Sequence, residues 1–133
     1  MIKNIVPSEV IRVPISIGEL IDKISILKIK LTKMTGDQLF NVQEEIKALE
    51  SIVITKNLKI DPLLYSKLNE VNSSLWQIED EIRIKEIHQE FDNEFIQLAR
   101  SVYQKNDKRA SLKRKINFMC NSKLVEEKLY SKN

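Results

Sequence analysis

The sequence predicts an all-α protein, an antiparallel bundle of four main helices preceded by a short extended N-terminal segment. The 133 residues include only two glycines and three prolines, and so few turn-forming residues favour a small number of long helices. Apolar residues recur at alternating steps of three and four, which is the spacing of a helix face. At this length a single hydrophobic core is expected, so residues 1–133 form one domain that begins with a loose arm at 1–9.

The first helix is predicted to begin after Ser16. Ser16 and Glu19 form a capping box, in which the hydroxyl accepts from the N–H three residues on and the carboxylate reaches back to the cap. The β-branched residues of 10–15 suit an extended lead-in or a short edge strand. The apolar stripe of this helix is Leu20, Ile24, Leu27, Leu31 and Met34. Gly36 is expected to end the helix and Asp37 to cap the next one.

The second and third helices each carry a coiled-coil seam. The seam of the second helix, expected over residues 38–55, is Leu39, Val42, Ile46, Leu49 and Val53. Asp61 and Pro62 are the start signals of the third helix. The seam of the third helix is Leu64, Leu68, Val71, Leu75, Ile78 and Ile82. The two seams hold more apolar surface than one small bundle hides, so a homodimer is expected.

The fourth helix is predicted to start after Phe91 and Asp92. Its apolar stripe begins as Phe95, Leu98, Ala99 and Val102 and then turns polar at Asn106, Arg109, Lys113 and Asn117. A face that changes in this way either leaves the core or lines a pocket. The C-terminal residues 121–133 are expected to form a short helix or an extended tail that packs Leu124, Leu129 and Tyr130 onto the bundle.

Composition excludes several classes of protein. The formal charge of +3 is too small to indicate nucleic-acid binding by itself. The single Cys120 forms no intramolecular disulfide, which favours a reducing compartment, and no cluster of cysteine and histidine suggests a zinc site. No run of eighteen uncharged apolar residues and no signal-peptide core is present. We therefore expect a cytoplasmic protein with no membrane span, no metal and no cofactor.

One part of the sequence has the residue types of a binding site. If the third and fourth helices pack antiparallel, Glu79 and Asp80 lie level with Arg100 and Tyr103, and guanidinium groups with a phenol suit a phosphate or carboxylate. An interhelical ion pair without a ligand is the alternative interpretation. The repeated carboxylate spacing of a magnesium-dependent helical hydrolase is missing. The candidate ligand-binding residues are Glu79, Asp80, Arg83, Arg100, Tyr103, Asn106, Asp107, Arg109 and Lys113.

Four ordered runs give the chain a family resemblance. They are Val13–Leu27, Leu75–Glu86, Phe95–Tyr103 with Asn106–Ala110, and Val125–Tyr130. Together these runs resemble a small bacterial and phage family described as a domain of unknown function, over about residues 10–130. The resemblance implies a genomic neighbourhood of surface-polysaccharide and glycosyltransferase genes, and it assigns no activity and no catalytic residue.

Three hypotheses for the function follow. The first is a non-enzymatic interaction or accessory protein, linked through the resemblance to surface-polysaccharide biosynthesis. The second is a small enzyme or binding protein for an anionic ligand, which needs a concavity, whereas an interaction protein needs an exposed apolar patch. The third is nucleic-acid binding through the basic helix 105–115, which has few aromatic neighbours for base stacking.

Overall fold

Four α-helices make up the computed structural model of the protein, which describes residues 9–129. The helices are α1 (Ile17–Leu31), α2 (Gly36–Thr55), α3 (Pro62–Ile87) and α4 (Asn93–Met119). The predicted all-α bundle is confirmed. Residues 9–16 precede α1 without forming helix or strand, as expected for an extended lead-in. The loose N-terminal stretch predicted at residues 1–9 lies outside the described residues except for Glu9.

The shortest helix, α1, organises the packing. It packs against each of the other three helices, and α3 also packs along α4. Because α1 has neighbours on three sides, its buried surface includes Asp22 and Ser25 besides the expected apolar stripe. The main core is formed by α1, α3 and α4 and comprises Leu20, Ile21, Ile24, Leu64, Leu68, Val71, Leu75, Leu112 and Ile116.

Most predicted helix starts are confirmed by their caps. The Ser16 hydroxyl accepts from the N–H of Glu19 at 3.0 Å, Asp61 caps α3 with Pro62 in the first turn, and the Asp92 carboxylate accepts from Phe95 at 2.9 Å. The second half of the capping box is replaced, because the Glu19 carboxylate accepts from Lys113 instead. A contact with another helix therefore takes the place of a local one.

The boundary between α1 and α2 differs from the prediction. The first helix ends at Leu31, so Gly36 does not end it but begins α2 with a φ of 60°, a conformation that favours glycine. Thr35 occupies the N-cap position, and Asp37 lies in the first turn. The hydroxyl of Thr32 donates to the carbonyl of Ile29, which satisfies an acceptor at the end of α1 and favours an early stop.

The C-terminal segment 121–129 forms neither helix nor strand. It matches the extended tail of the prediction, but two of the apolar residues expected to pack onto the bundle are exposed. Leu129 is 97% exposed and Leu124 is 43% exposed, and Tyr130 lies outside the described residues. Ion pairs from Glu126 and Glu127 attach the segment to α4 instead.

Burial stops halfway along the α3–α4 pair. No residue from 76 to 111 is buried, although both helices continue through that range. We refer to residues 77–105 as the arm, and to α1 with residues 62–75 and 106–119 as the base. None of the four helices has both the length and the apolar character that crossing a membrane requires, over the residues described.

Candidate functional site

A cavity of about 480 Å³ lies against the base. The polar face of α4 forms one wall, and Glu19 at the start of α1 and the C-terminal segment form the others. The side chains that line the cavity are Glu19, Asn106, Asp107, Arg109, Ala110, Ser111, Lys113, Arg114, Asn117, Glu126, Glu127 and Lys128. The change from apolar to polar along α4 therefore marks a pocket wall, which was one of the two alternatives for this helix.

A buried carboxylate supports the floor of this site. The side chain of Asp22 is 1% exposed and lies opposite Arg109, which is 28% exposed. Arg109 donates from Nε to Oδ1 at 3.0 Å and from Nη2 to Oδ2 at 2.5 Å, so the pair is bidentate. The hydrogen bond with Asp22 raises the pKa of Arg109 above its ordinary value. The guanidinium is therefore fixed on one edge, and its Nη1 edge is left for Asn106 and the cavity.

Polar groups from α3 complete the shell around Asp22. The Asn72 amide donates to Asp22 Oδ1 at 3.0 Å and to Ser25 Oγ at 3.1 Å. The Ser25 hydroxyl in turn donates to Asn69 at 3.0 Å. A buried carboxylate costs several kcal/mol of desolvation unless such partners surround it. The network therefore fixes α1, α3 and α4 to one another at the level of Arg109.

Lys113 is the centre of a second charge cluster, closer to solvent. Its ammonium contacts Glu19 at 2.6 Å, Glu126 at 3.1 Å and Asp22 at 3.9 Å. Partial burial lowers the pKa of Lys113, but the hydrogen bonds that its ammonium donates to Glu19 and Glu126 outweigh this effect, and the pKa is raised. The ammonium is therefore charged at neutral pH, and one of its partners belongs to the extended C-terminal segment.

The neighbouring Arg114 also contacts that segment. Its Nη1 lies 2.9 Å from the carboxylate of Glu127 and 3.4 Å from the carbonyl of Glu126. The two glutamate side chains are 73% and 53% exposed. Exposed ion pairs contribute only about 0–1 kcal/mol each. The carboxylates of the consecutive residues Glu126 and Glu127 thus form weak ion pairs with two cations that line the cavity.

The first turn of α1 closes the site by approaching α4. The N–H of Gly18 donates to the Asn117 side chain at 2.6 Å, and the N–H of Ile17 donates to the Ser122 hydroxyl at 3.0 Å. A Cβ at Gly18 would overlap the carbonyl oxygen of Lys113. Glycine is therefore required here for close approach, which places Glu19 beside Lys113.

The predicted site residues separate into two groups. Asn106, Asp107, Arg109 and Lys113 line the cavity. The others lie in the arm with exposed side chains: Glu79, Asp80, Arg83, Arg100 and Tyr103.

The ion pair expected between α3 and Arg100 is not among those formed by residues 9–129. Glu79 instead lies 4.0 Å from Arg83 on its own helix. Ion pairs between helices form elsewhere: Lys85 of α3 lies 3.4 Å from Glu94 of α4. Arg109, about two and a half turns beyond Arg100, contacts Asp22 of α1, which packs against α4.

Sequence reasoning missed the contributions of α1 and of the tail. Gly18, Asp22 and Ser25 follow steps of four and three beside the apolar stripe, so a polar stripe on a widened buried face was the available signal. Glu126 and Glu127 gave no signal from periodicity, since an extended segment has no fixed partner face. Among residues 9–129, no group of three or more histidine, cysteine or carboxylate side chains is placed to hold a metal ion.

A second cavity, of about 420 Å³, lies between the C-terminal half of α1 and the middle of α3. Lys28 and Lys33 come from α1, and Trp76 and Asp80 come from α3. Lys28 is already engaged, because it lies 3.2 Å from Glu50 and 5.8 Å from the centre of the Tyr65 ring. Asn69, which accepts from Ser25 in the network around Asp22, lines this cavity, but neither Asp22 nor Arg109 does.

Comparison with known proteins yields one match. The sequence matches a family of unknown function, DUF6165, over residues 11–133. A search of curated proteins found no match, and a search of solved structures found none either. The match covers nearly all of the chain, including every residue that lines the first cavity. The chain therefore belongs to the family of unknown function DUF6165.

Proposed function

We propose that the protein binds a small ligand bearing a phosphate or carboxylate group in the cavity between α1, α4 and the C-terminal segment. The proposal rests on the bidentate ion pair between Arg109 and the buried carboxylate of Asp22. A structural pair needs no open face, whereas Arg109 keeps its Nη1 edge beside a cavity of about 480 Å³. Buried charge pairs next to a cleft are typical of functional sites.

The C-terminal segment indicates the chemistry of that ligand. Glu126 and Glu127 place two carboxylates on Lys113 and Arg114, and both glutamate side chains are more than half exposed. An incoming phosphate dianion carries more charge than one glutamate carboxylate and has three oxygens that can accept from both cations at once, so it can replace the two glutamates. In this proposal the segment is a weak internal occupant that the ligand displaces.

The distribution of the family runs supports the same cavity. Glu19 belongs to the first run, Arg109 to the third and Glu126 to the fourth, and all three line it. If the protein serves surface-polysaccharide biosynthesis, to which the resemblance links it by genomic neighbourhood, a phosphorylated sugar is the ligand to test after inorganic phosphate. Nucleic-acid binding by residues 105–115 has less support, because Arg109, Lys113 and Arg114 contact carboxylates.

Calorimetric titration with inorganic phosphate at constant ionic strength tests the proposal. We expect Lys113→Ala to weaken phosphate binding about tenfold, since a hydrogen bond to a charged group contributes about 1.5–3 kcal/mol. Replacing Glu126 and Glu127 together by Gln should strengthen binding, because the internal competitor is removed. Lys115→Ala is the matched control, as Lys115 is an exposed cation on the same helix that does not line the cavity.

Two results would contradict the proposal. One is the absence of phosphate binding both in the wild type and in the double Gln variant. The other is an equal loss of binding in Lys113→Ala and Lys115→Ala, which would indicate attraction by net charge alone. Native mass spectrometry of the protein as purified adds a check, since a retained anion should disappear in Lys113→Ala and persist in Arg100→Ala.

A second candidate function, interaction with another protein, is favoured by a separate observation. The arm exposes large apolar side chains from both of its helices and from its tip, namely Ile84, Ile87, Phe91, Ile96 and Tyr103. Clusters of exposed apolar residues mark interaction surfaces. The accessory role predicted from the sequence therefore depends on the arm and not on the cavity.

A further inference from the structure

The second cavity, between α1 and α3, shares no lining residue with the first. Its volume of about 420 Å³ lies within the range of about 300–1,000 Å³ that small-molecule sites occupy. Its α3 wall is one face of that helix, because Asn69, Ser73, Trp76 and Asp80 step by four, three and four. The cavity is therefore large enough to hold a small ligand of its own.

The single tryptophan of the sequence lines this second cavity. Trp76 is half-buried, and so is Ile29, which lines the cavity from the α1 side. The indole is a wide, flat and apolar group whose one polar atom is a donor. The cavity therefore offers apolar surface of the kind that binds the face of a ring.

Asn69 supplies hydrogen-bond donors to the same cavity. Its Oδ1 accepts from the Ser25 hydroxyl at 3.0 Å, and that hydroxyl accepts from Asn72 at 3.1 Å. The buried network around Asp22 thus orients the Asn69 amide. None of the hydrogen bonds formed by residues 9–129 uses its Nδ2. Its two N–H groups are therefore available to a ligand.

Hydrogen-bond acceptors lie further along α3. Gln77 donates its Nε2 to Glu81 at 3.3 Å, which leaves its Oε1 as an acceptor. Asp80 is exposed and takes part in none of the ion pairs that the described residues form. Asn69 and Asp80 are eleven residues apart on one helix, which is about 16 Å. That distance exceeds one sugar-sized ring and suits two linked rings with a hydrogen bond at each end.

The charges of this cavity favour a neutral ligand. Lys28 is paired with Glu50 at 3.2 Å. The other two charged residues that line the cavity, Lys33 and Asp80, have opposite signs. Asp80 would repel a phosphate, and Lys33 would repel an ammonium. A hydroxyl group suits both residues, because it donates one hydrogen bond and accepts others.

We propose that the second cavity binds a neutral saccharide of two or more rings, with one ring against Trp76 and hydroxyl groups bonded to Asn69 and Asp80. A pyranose ring has C–H groups that form an apolar face, and hydroxyl groups around its rim. Burial of the C–H groups against the indole supplies affinity, and the polar side chains set the orientation. The proposal does not depend on the phosphate site, since the two cavities share no residue.

Fluorescence titration of the full chain tests the proposal, because Trp76 is the only tryptophan and reports on this cavity alone. The probes are four neutral disaccharides: cellobiose, lactose, mannobiose and chitobiose. At least one should change the fluorescence in a saturable way, with a dissociation constant of about 1 mM, as expected for a small ligand. Sorbitol, an acyclic polyol without the apolar face of a ring, should give no saturable change.

Asp80→Ala should weaken disaccharide binding about tenfold, because it removes a hydrogen bond to a charged group. Glu79→Ala is the matched control. Glu79 is also an exposed carboxylate on α3, it directly precedes Asp80, and it does not line the cavity. Its variant should bind as the wild type does. Both variants keep Trp76, so the same fluorescence signal measures all three proteins.

NMR of side-chain N–H groups locates the ligand. The Asn69 amide and the Trp76 indole N–H should shift on addition of the disaccharide that binds. The Asn117 amide, which lines the first cavity, should not shift. A shift of Asn117 without a shift of Asn69 would overturn the assignment of the saccharide to the second cavity.

Further results would also overturn the proposal. One is the absence of a saturable change with all four disaccharides, and another is an equal change with sorbitol. Equal weakening in Asp80→Ala and Glu79→Ala would indicate no contact with Asp80. A fluorescence change with inorganic phosphate that is lost in Lys33→Ala would identify an anion site instead. The calorimetric response to Lys113→Ala reports on the first cavity, so the two proposals can fail separately.

Discussion

The same two helices, α3 and α4, are held in two different ways along their length. In the base they contact α1, and the core there includes Leu68 and Ile116, which are 0% and 1% exposed. In the arm they contact each other, and no residue is buried. The difference arises because α1 is 15 residues long, whereas α3 and α4 have 26 and 27. The short helix α1 therefore divides the α3–α4 hairpin into a half with a buried core and a half without buried residues.

The ion pairs of the two halves differ in the same way. Asp22 and Arg109 join two helices through a carboxylate that is 1% exposed. Glu79 and Arg83 lie one turn apart on α3 at 4.0 Å, with side chains 52% and 72% exposed. Burial makes the first pair costly to break, and solvent makes the second nearly neutral. The Asp22–Arg109 pair in the base thus helps to determine the fold, whereas the Glu79–Arg83 pair in the arm joins residues of one helix only.

The largest expected effect comes from removing the buried carboxylate. Asp22→Ala leaves Arg109 partly buried without its counter-ion and Asn72 with Ser25 as its remaining acceptor, so we expect a loss of about 3–5 kcal/mol in the free energy of unfolding. Glu79→Ala, which breaks the pair in the arm, should cost no more than about 0.5 kcal/mol. Urea denaturation followed by circular dichroism measures both. Similar losses in the two variants would show that burial does not distinguish the halves.

Truncation of apolar side chains should show the same contrast between the base and the arm, with a slightly smaller loss of stability. Leu68→Ala removes a fully buried side chain from the base and should cost about 2–5 kcal/mol. Ile84→Ala, at a position 54% exposed in the arm, should change the stability by about 0.5 kcal/mol or less. Urea denaturation at low protein concentration again gives both values. A large loss for Ile84→Ala would mean that the arm is covered even in the dilute protein.

Gly18→Ala tests the close approach of α1 to α4. The new Cβ would overlap the Lys113 carbonyl and lie 3.0 Å from the Asn117 side chain, so α1 must shift, at an expected cost of about 1–3 kcal/mol. Thermal unfolding measures this cost. Gly36→Ala is the control, because it meets no atom within 4 Å and suffers only from its φ of 60°. Its expected cost is about 1 kcal/mol. A cost for Gly18→Ala below that of Gly36→Ala would contradict the close approach.

Much of the fold could be predicted because it depends on local signals. The caps at Ser16, Asp61 and Asp92 and the three-four spacing fix where most helices begin and which face is apolar. The end of α1 was misplaced because Gly36 reads equally well as a stop signal and as a residue that opens α2. The positions of apolar residues in the sequence also do not determine which helix lies in the centre of the bundle. That choice depends on contacts between distant residues.

The candidate site was predicted only in part, for the same reason. The change from apolar to polar side chains along one face of α4 identified Asn106, Arg109 and Lys113, because the face of a helix follows from the spacing within one segment. The choice of Glu79 as partner assumed that α3 faces that surface, whereas α1 does, through Asp22. A single acidic residue inside an apolar helix looks like an ordinary surface charge until its neighbours are known. The acidic tail was not identifiable at all, since only tertiary contacts bring Glu126 to Lys113.

The smallest expected effect concerns how the tail is attached to the base. Hydrogen bonding with Glu19 and Lys113 lowers the pKa of Glu126 from its ordinary value of 4.5. A lowered pKa means that the attached state favours the charged carboxylate, so attachment is complete above about pH 4.5 and is lost as the pH falls through the lowered value. Backbone amide relaxation of residues 123–129 by NMR, from pH 7 to pH 3, measures the release.

Glu126→Gln supplies the control for this titration, because it removes the charge at every pH. The variant should show a loosened segment already at pH 7 and little further change on acidification. Release of the wild-type segment at neutral pH by salt alone would contradict a specific contact with Lys113 and would indicate general screening instead. If phosphate added at pH 7 also loosens residues 123–129 in the wild type, ligand and tail compete for the same cations, and the cavity and the segment act as one site.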